Sequence, residues 1–459
     1  MDAMKQLAVG PTLQLAQWVA SLSYRDLPES TRRAVRISLL DTVGAAIYSA
    51  RTPWAKAVLS WAKRGAPAVG EARVWGDVEV SLRVADAALV NGTAAHSFEL
   101  DDFHNAKIHA GAPVIPAAIA VAEKLGLDGE ALIASIAAGY EVMIRSSLAM
   151  NPSAARMRGW HLTGVCGTFG AAAACAVLMK LNAERTAWAL GLAGTQSSGL
   201  WAFNADAAMS KRLHPGKASH SGVLAAELAE LGFTGPTQIY EYADGGVLNA
   251  FSDEPDATLL TQDLGTVFHL ERTTIKAYSC CGSTHSYIDA ALELRSKLDV
   301  PWNMDSRVRV GTSKVVDLQC GFDYVPSTSL NAQMSLRYVI AVALIDGQVL
   351  PAQFTDAKIK DPTVTALAGR IELEGDPELD RLYPQNFAGW VAVECNGEWH
   401  RSFVMNPTGS VDKPIDEAGV VEKFRGINPE LATDRIADIA FAIERYSVRE
   451  LLESMSLRK

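Results

Sequence analysis

Apolar residues recur at three- and four-residue spacing almost without a break from the N-terminus to about residue 265. The stretches "RRAVRISLLDTVGAAIYSA" (32–50), "SLRVADAALVNGTAAHSFEL" (81–100), "GEALIASIAAGYEVMIRSSLAM" (129–150) and "AERTAWALGLAGTQSSG" (183–199) all carry it. That period is helical. Several of these segments are also rich in Ala and Gly around the whole circumference. A helix of that kind has no clear solvent face and belongs among other helices at close approach. The pattern predicts a compact all-helical core.

The character changes near residue 266. "TVFHLERTTIKAYS" (266–279), "SRVRVGTSKVVDLQC" (306–320) and "GWVAVECNGEWHRSFVM" (389–405) alternate β-branched or aromatic residues with polar ones and read as strands. The last holds an Asn-Gly pair of the hairpin type. Two helical stretches, 283–298 and 332–347, lie between them. This order predicts a small α+β domain. From about residue 413 the chain reads as helical again. At 459 residues two domains are the default expectation. The expected division is a helical domain of 1–265 plus 413–459 and an α+β domain of 266–412.

Composition narrows the function. With 52 acidic against 42 basic residues and a net charge of −10, the chain lacks the basic face of a nucleic-acid binder. An anionic small molecule is still compatible, because a cleft focuses its own local charge. Cys166, Cys175, Cys280, Cys281, Cys320 and Cys395 form no CxxC pair, which fits reduced, intracellular thiols. The first twenty residues lack the layout of a signal peptide. Apolar runs such as 168–179 fall short of the ~18 residues of a membrane span. The expectation is a cytoplasmic protein with no membrane partner.

Four polar clusters interrupt the apolar background. They are "HSFELDDFHNAKIHAG" (96–111), "RGWHLTGVCGTFGAAAA" (158–174), "KRLHPGKASHSGVLAAELAELGFTGP" (211–236) and "KAYSCCGSTHSYIDAA" (276–291). Each places His or Lys beside a small-residue helix, where helix N-termini favour anions. The third reads as a dense cationic loop running into an apolar helix. Asp101, Asp102, His104 and His109 offer metal ligands, but no established metal-ligand spacing accompanies them, and no metal is expected. No dinucleotide, P-loop or nucleophile-elbow motif occurs. Cys280 and Cys281 read as two packed thiols, since adjacent cysteines rarely bridge.

In this order the four clusters, together with "NPTGSVDKPIDEAGVVEKF" (406–424), resemble the MmgE/PrpD family of 2-methylcitrate dehydratases, cis-aconitate decarboxylases and an iminodisuccinate epimerase. The resemblance implies a large all-helical domain built from both chain ends, a smaller α+β lid domain, a homodimer, and no cofactor. Carried over position by position, it implies an active site at Glu99, Phe103, His109, His161, Lys211 and His285. The expected catalytic set is Glu99, His109, His161, Lys211 and His285; the expected substrate-binding set is Asp102, Phe103, Arg212 and His214. Three departures stand out: Glu99 replaces a usual Asp, Phe103 replaces a usual Thr or Ser, and "HAGAPVIP" replaces "HPSG" or "HPG".

Small di- and tricarboxylates need several fixed cations or donors, which Lys211, His109, His161 and His285 would supply. Histidine suits the acid-base steps because its ordinary pKa of ~6.5 lies near working pH. The leading expectation is a cofactor-independent lyase acting on a small polycarboxylate. An epimerase working by proton transfer and a non-catalytic carboxylate-binding protein of the same fold are the alternatives. Because His285 comes from the second domain, a site that includes it would lie in the interdomain cleft.

Overall fold

The computed structural model describes residues 10–297 and 305–455. The outermost residues of the expected helical domain, 1–9 and 456–459, and the last residue of the 283–298 helix lie outside that range. The chain is mainly α. Its buried apolar side chains form two large clusters, one drawn from residues 15–275 and 420–455 and the other from 280–395.

The first cluster is a bundle of small-sided helices. Leu162–Leu178 lies between Gly129–Ala149 and Ser210–Glu230, Gly111–Leu125 packs on all three, and Val84–Ala95 packs on Ser210–Glu230 and Gly111–Leu125. Glycine sets how closely two of these pairs approach. A Cβ at Gly139 would stand 2.8 Å from the Gly170 carbonyl oxygen. One at Gly216 would stand 2.2 Å from Thr93 Oγ1 and 2.5 Å from the Leu89 carbonyl oxygen. The second contact seats the Ser210–Glu230 helix on Val84–Ala95, and so fixes where Lys211 meets the loop that follows residue 95. The C-terminal helix Glu417–Ile427 packs on Glu29–Ser49, with Phe424 against Gly44. From it, Lys423 Nζ donates to Asp41 Oδ1 at 2.5 Å and to the Leu100 carbonyl at 2.6 Å. A residue from the far end of the chain thereby holds the acidic loop.

The second cluster surrounds a four-stranded sheet of order β4-β3-β5-β6, formed by β3 (Val308–Thr312), β4 (Ile371–Gly375), β5 (Gly389–Cys395) and β6 (Glu398–Val404). β3 pairs parallel to β4 and antiparallel to β5. β5 and β6 form the hairpin that the Asn-Gly pair predicts; Asn396 and Gly397 both take positive φ, 54° and 83°. The helix His285–Lys297 packs on β5 and β6, with Leu336–Asp346 against it.

Five readings of the sequence need correction. The helical region also contains a two-stranded ribbon, β1 (Ala72–Val74) with β2 (Asp77–Leu82). Residues 266–279 are not a strand but an irregular connection with one 3₁₀ turn, His269–Arg272. Their alternation reflects burial of Phe268, Leu270 and Ile275 in the first core, and the backbone pairs with other segments only at isolated positions, as where Thr274 and Phe103 exchange both N–H···O bonds. The 306–320 stretch is half strand and half helix, since Ser313 caps Lys314–Cys320. Gly129–Ala149 is long and apolar enough to cross a membrane, but it lies within the core, with its Arg145 paired to Glu141 at 3.1 Å. Finally, the cationic stretch from Lys211 is not a loop. It forms the first turns of Ser210–Glu230, where Pro215 has no N–H to give the Lys211 carbonyl.

The glycine contacts give a paired prediction. Gly216→Ala is expected to lower the melting temperature, because the new Cβ meets backbone; overpacking of this kind costs about 1–3 kcal/mol. Gly426→Ala, in Glu417–Ile427 with nothing within 4 Å, is expected to raise it through helix propensity, by up to about 1 kcal/mol. Thermal melts of both variants check the opposed signs.

Candidate active site

Between the two cores lies a partly open cavity of about 60 Å³. The helical body contributes Glu99, Phe103, Lys107, His109, Arg156, His161, Trp201 and Lys211 to its wall, and the second core contributes Cys281, Ser283, Gln319, Met334, Tyr383 and Phe387. Three of these side chains stand at the starts of long helices. His109 precedes Gly111–Leu125, His161 is the N-cap of Leu162–Leu178, and Lys211 is in the first turn of Ser210–Glu230.

The centre of the site is a buried charge cluster. Glu99 takes φ +55°, a conformation that costs a non-glycine residue roughly 1–2 kcal/mol. Its carboxylate is wedged between two ammonium groups, with Lys211 Nζ on Oε1 and Lys276 Nζ on Oε2 at 3.1 Å. Burial alone would push the Glu99 carboxyl up, but Lys211 and Lys276 outweigh it and hold it well below the usual range. Lys276 also lies 3.7 Å from Asp101, whose other oxygen is 2.6 Å from His96 Nδ1 and 3.4 Å from His109 Nδ1. Burial would raise the Asp101 carboxyl, but the Lys276 charge and the hydrogen bond with His96 hold it below the usual range.

His109 and His161 are held uncharged. Burial drives His109 and His161 well below the ordinary value; Lys276 and Lys211 add to the effect at His109, and Lys211 at His161. His109 Nδ1 lies 2.7 Å from the Asp102 carbonyl oxygen, which can only accept, so the neutral ring carries its proton there. Nε2 is left for the cavity. His161 and His214 face each other through their Nδ1 atoms at 2.9 Å, an arrangement that needs one donor and one acceptor.

Not every residue expected at the site reaches it. Glu99, Phe103, His109, His161 and Lys211 line the cavity. His285 is fully buried and packs edge-on against Phe103 and Tyr278, with ring centroids at 5.9 and 5.1 Å. Asp102 sits behind the wall, accepting from Tyr140 Oη at 2.7 Å and the Gly111 N–H at 3.0 Å. Burial pushes its carboxyl up to about 7. Arg212 lies over the Trp54 ring and donates to the Ser97 carbonyl at 2.9 Å, while His214 touches the site only through His161. Of the four residues weighed as metal ligands, only Asp101 and His109 come together, with His96 as third partner. The Lys276 ammonium already supplies the cation beside them.

Sequence reasoning missed Lys276, His96, Lys107 and Arg156. Lys276 and His96 each open one of the quoted clusters, so position relative to the motif was the available signal. Nothing in the spacing distinguishes Lys107 or Arg156 from solvated surface cations.

The family follows from both halves of the chain. Residues 13–260 match the MmgE/PrpD N-terminal domain and 278–444 match the MmgE/PrpD C-terminal domain. The chain belongs to the MmgE/PrpD family. It is similar to the cis-aconitate decarboxylase of Aspergillus terreus, with 29% identity over 97% of this chain and 96% of that protein. It is also similar to the cis-aconitate decarboxylase-like protein oryM of Aspergillus oryzae, 29% identical over 90% of this chain and 89% of the relative. The Homo sapiens cis-aconitate decarboxylase is 28% identical over 84% and 81%.

The buried imidazoles set a pH dependence of stability. His104, His109, His161, His214, His220, His269 and His285 all have pKa values lowered from 6.5, with burial the largest cause. Below about pH 6.5 the unfolded chain binds protons that the folded one refuses, so stability is full above that pH and falls as the pH drops. Four carboxyls raised by burial, Asp102 and Glu141 to about 7 with Asp41 and Glu123, act in the opposite sense but are outnumbered. The melting temperature is expected to fall steadily from pH 7 to pH 5; a flat or rising trend would contradict the neutral assignment.

Proposed function

We propose that this chain is a cofactor-independent lyase that releases carbon dioxide from a small unsaturated di- or tricarboxylate. The observation that carries the reading is one cavity in which uncharged imidazoles, His109 and His161, stand beside the cationic side chains of Lys107, Arg156 and Lys211. The names of the relatives make cis-aconitate the first acid to test. A bound polyanion supplies the negative charge the imidazoles lack, so it draws a proton onto them as it binds.

The chemistry needs no electron sink beyond the substrate. In an acid whose leaving carboxylate is attached one carbon away from a C=C bond, the C–C bond to that carboxylate breaks and its electron pair forms a new C=C bond. The old π pair takes a proton at the far alkene carbon from a histidinium, carbon dioxide departs, and solvent recharges the neutral imidazole. His109 suits the donor role, since Asp101, 3.4 Å from its Nδ1, stabilises the charged ring. Lys211 can turn from Glu99 to a substrate carboxylate because Lys276 remains to compensate Glu99. Burial within the cavity strengthens each of these electrostatic contacts.

Proton NMR in deuterated water tests the proposal with cis-aconitate and a panel of citrate- and succinate-type acids. The expected result is a shorter unsaturated acid carrying one solvent deuteron. Lys211→Ala is expected to slow turnover on the order of 10²–10³-fold. It should also lower the melting temperature, because buried Glu99 loses one of its two cations. Deuterium exchange without carbon dioxide release would replace the lyase with an epimerase. Binding with neither would leave a carboxylate-binding protein.

A further inference from the structure

The cavity wall carries three cations and one carboxylate. Lys211 is answered by Glu99, but Lys107 and Arg156 are not. Arg156 is 7% exposed, and its Nε is buried with no partner. Its guanidinium lies 3.8 Å from the centre of the Trp201 ring, and no carboxylate or carbonyl among the described residues accepts from it. Lys107 donates to Ser153 Oγ at 3.0 Å and sits 4.7 Å from the centre of the Tyr383 ring. It is close enough to Arg156 for the two charges to repel. A lysine and an arginine set side by side with depleted solvation and no carboxylate partner are unfavourable when charged in an empty protein. They make sense as half of an interaction whose other half is a ligand.

The geometry suits a carboxylate. The guanidinium offers a planar fork of donors that matches two oxygens, the ammonium adds a point charge, and the two aromatic rings hold both heads in place without neutralising them. We propose that Lys107 and Arg156 form a second carboxylate subsite in the cavity. It holds a carboxylate that does not react, and so selects acids bearing at least two. The inference rests on the polycarboxylate reading above and adds to it the residues that recognise the second charge.

Titration calorimetry with propane-1,2,3-tricarboxylate, a saturated acid that cannot eliminate carbon dioxide by the proposed route, tests it against the monocarboxylate butyrate. Wild type is expected to prefer the tricarboxylate by at least about tenfold. Arg156→Gln and Lys107→Met are each expected to weaken its binding roughly 10–100-fold, the usual effect of losing a hydrogen bond to a charged group, and to erase most of the preference. Arg156→Lys and Lys107→Arg should recover much of it, with circular dichroism verifying that all four variants fold. Tricarboxylate binding unchanged in Arg156→Gln and Lys107→Met would overturn the subsite while leaving the polycarboxylate reading intact. Equal impairment of folded charge-removing and charge-conserving variants would overturn it too. A wild type that binds no tricarboxylate would overturn the reading beneath it.

Discussion

One buried carboxylate organises the centre of this protein. Glu99 accepts from Lys211 at the start of a long helix and from Lys276 in the connection between the two cores. Neither lysine could lie so deep without it, and Glu99 could not stay ionised without them. The contact therefore ties the bundle, the acidic loop and the entry to the second core to one point. Lys423 from the C-terminal helix and Gln333 from the second core both bond backbone carbonyls of that loop, at Leu100 and Phe98. The strained backbone at Glu99 is held by this surrounding set.

Pairing the charges in this way leaves the imidazoles neutral. Two compensated carboxylates give His109 and His161 too little negative potential to offset burial. Burial likewise lowers Lys107 to about 7, so at neutral pH its charge depends on what binds beside it. The empty cavity is thus short of protons, and an entering polyanion changes that. In this account the substrate charges its own acid catalyst.

Much of the fold was legible because the signal was physical and local. Alanine and glycine around whole helices meant close packing, and the Gly139 and Gly216 contacts show where. The Asn-Gly pair fixed the β5–β6 turn. The 266–279 stretch misled because half-burial between two cores imitates the alternation of a strand. The site was partly legible. His109, His161 and Lys211 stood out as titratable residues beside small-residue helices, but the pairing of Lys211 with Glu99 depends on a contact between positions 112 residues apart. Phe103 stood out as a departure from the family pattern, and its ring now packs against His285. The roles of Lys107 and Arg156 arise from the absence of a partner, which only a folded structure can display.

A neutral site is expected to take up protons when a polycarboxylate binds. Calorimetric titration of propane-1,2,3-tricarboxylate at pH 7.5, repeated in buffers of different ionisation enthalpy, measures that uptake directly. Net uptake of about one proton or more per ligand is expected, shared among His109, His161 and Lys107. Tight binding with no proton uptake, or with net release, would mean that these groups are already charged in the empty protein and would contradict it.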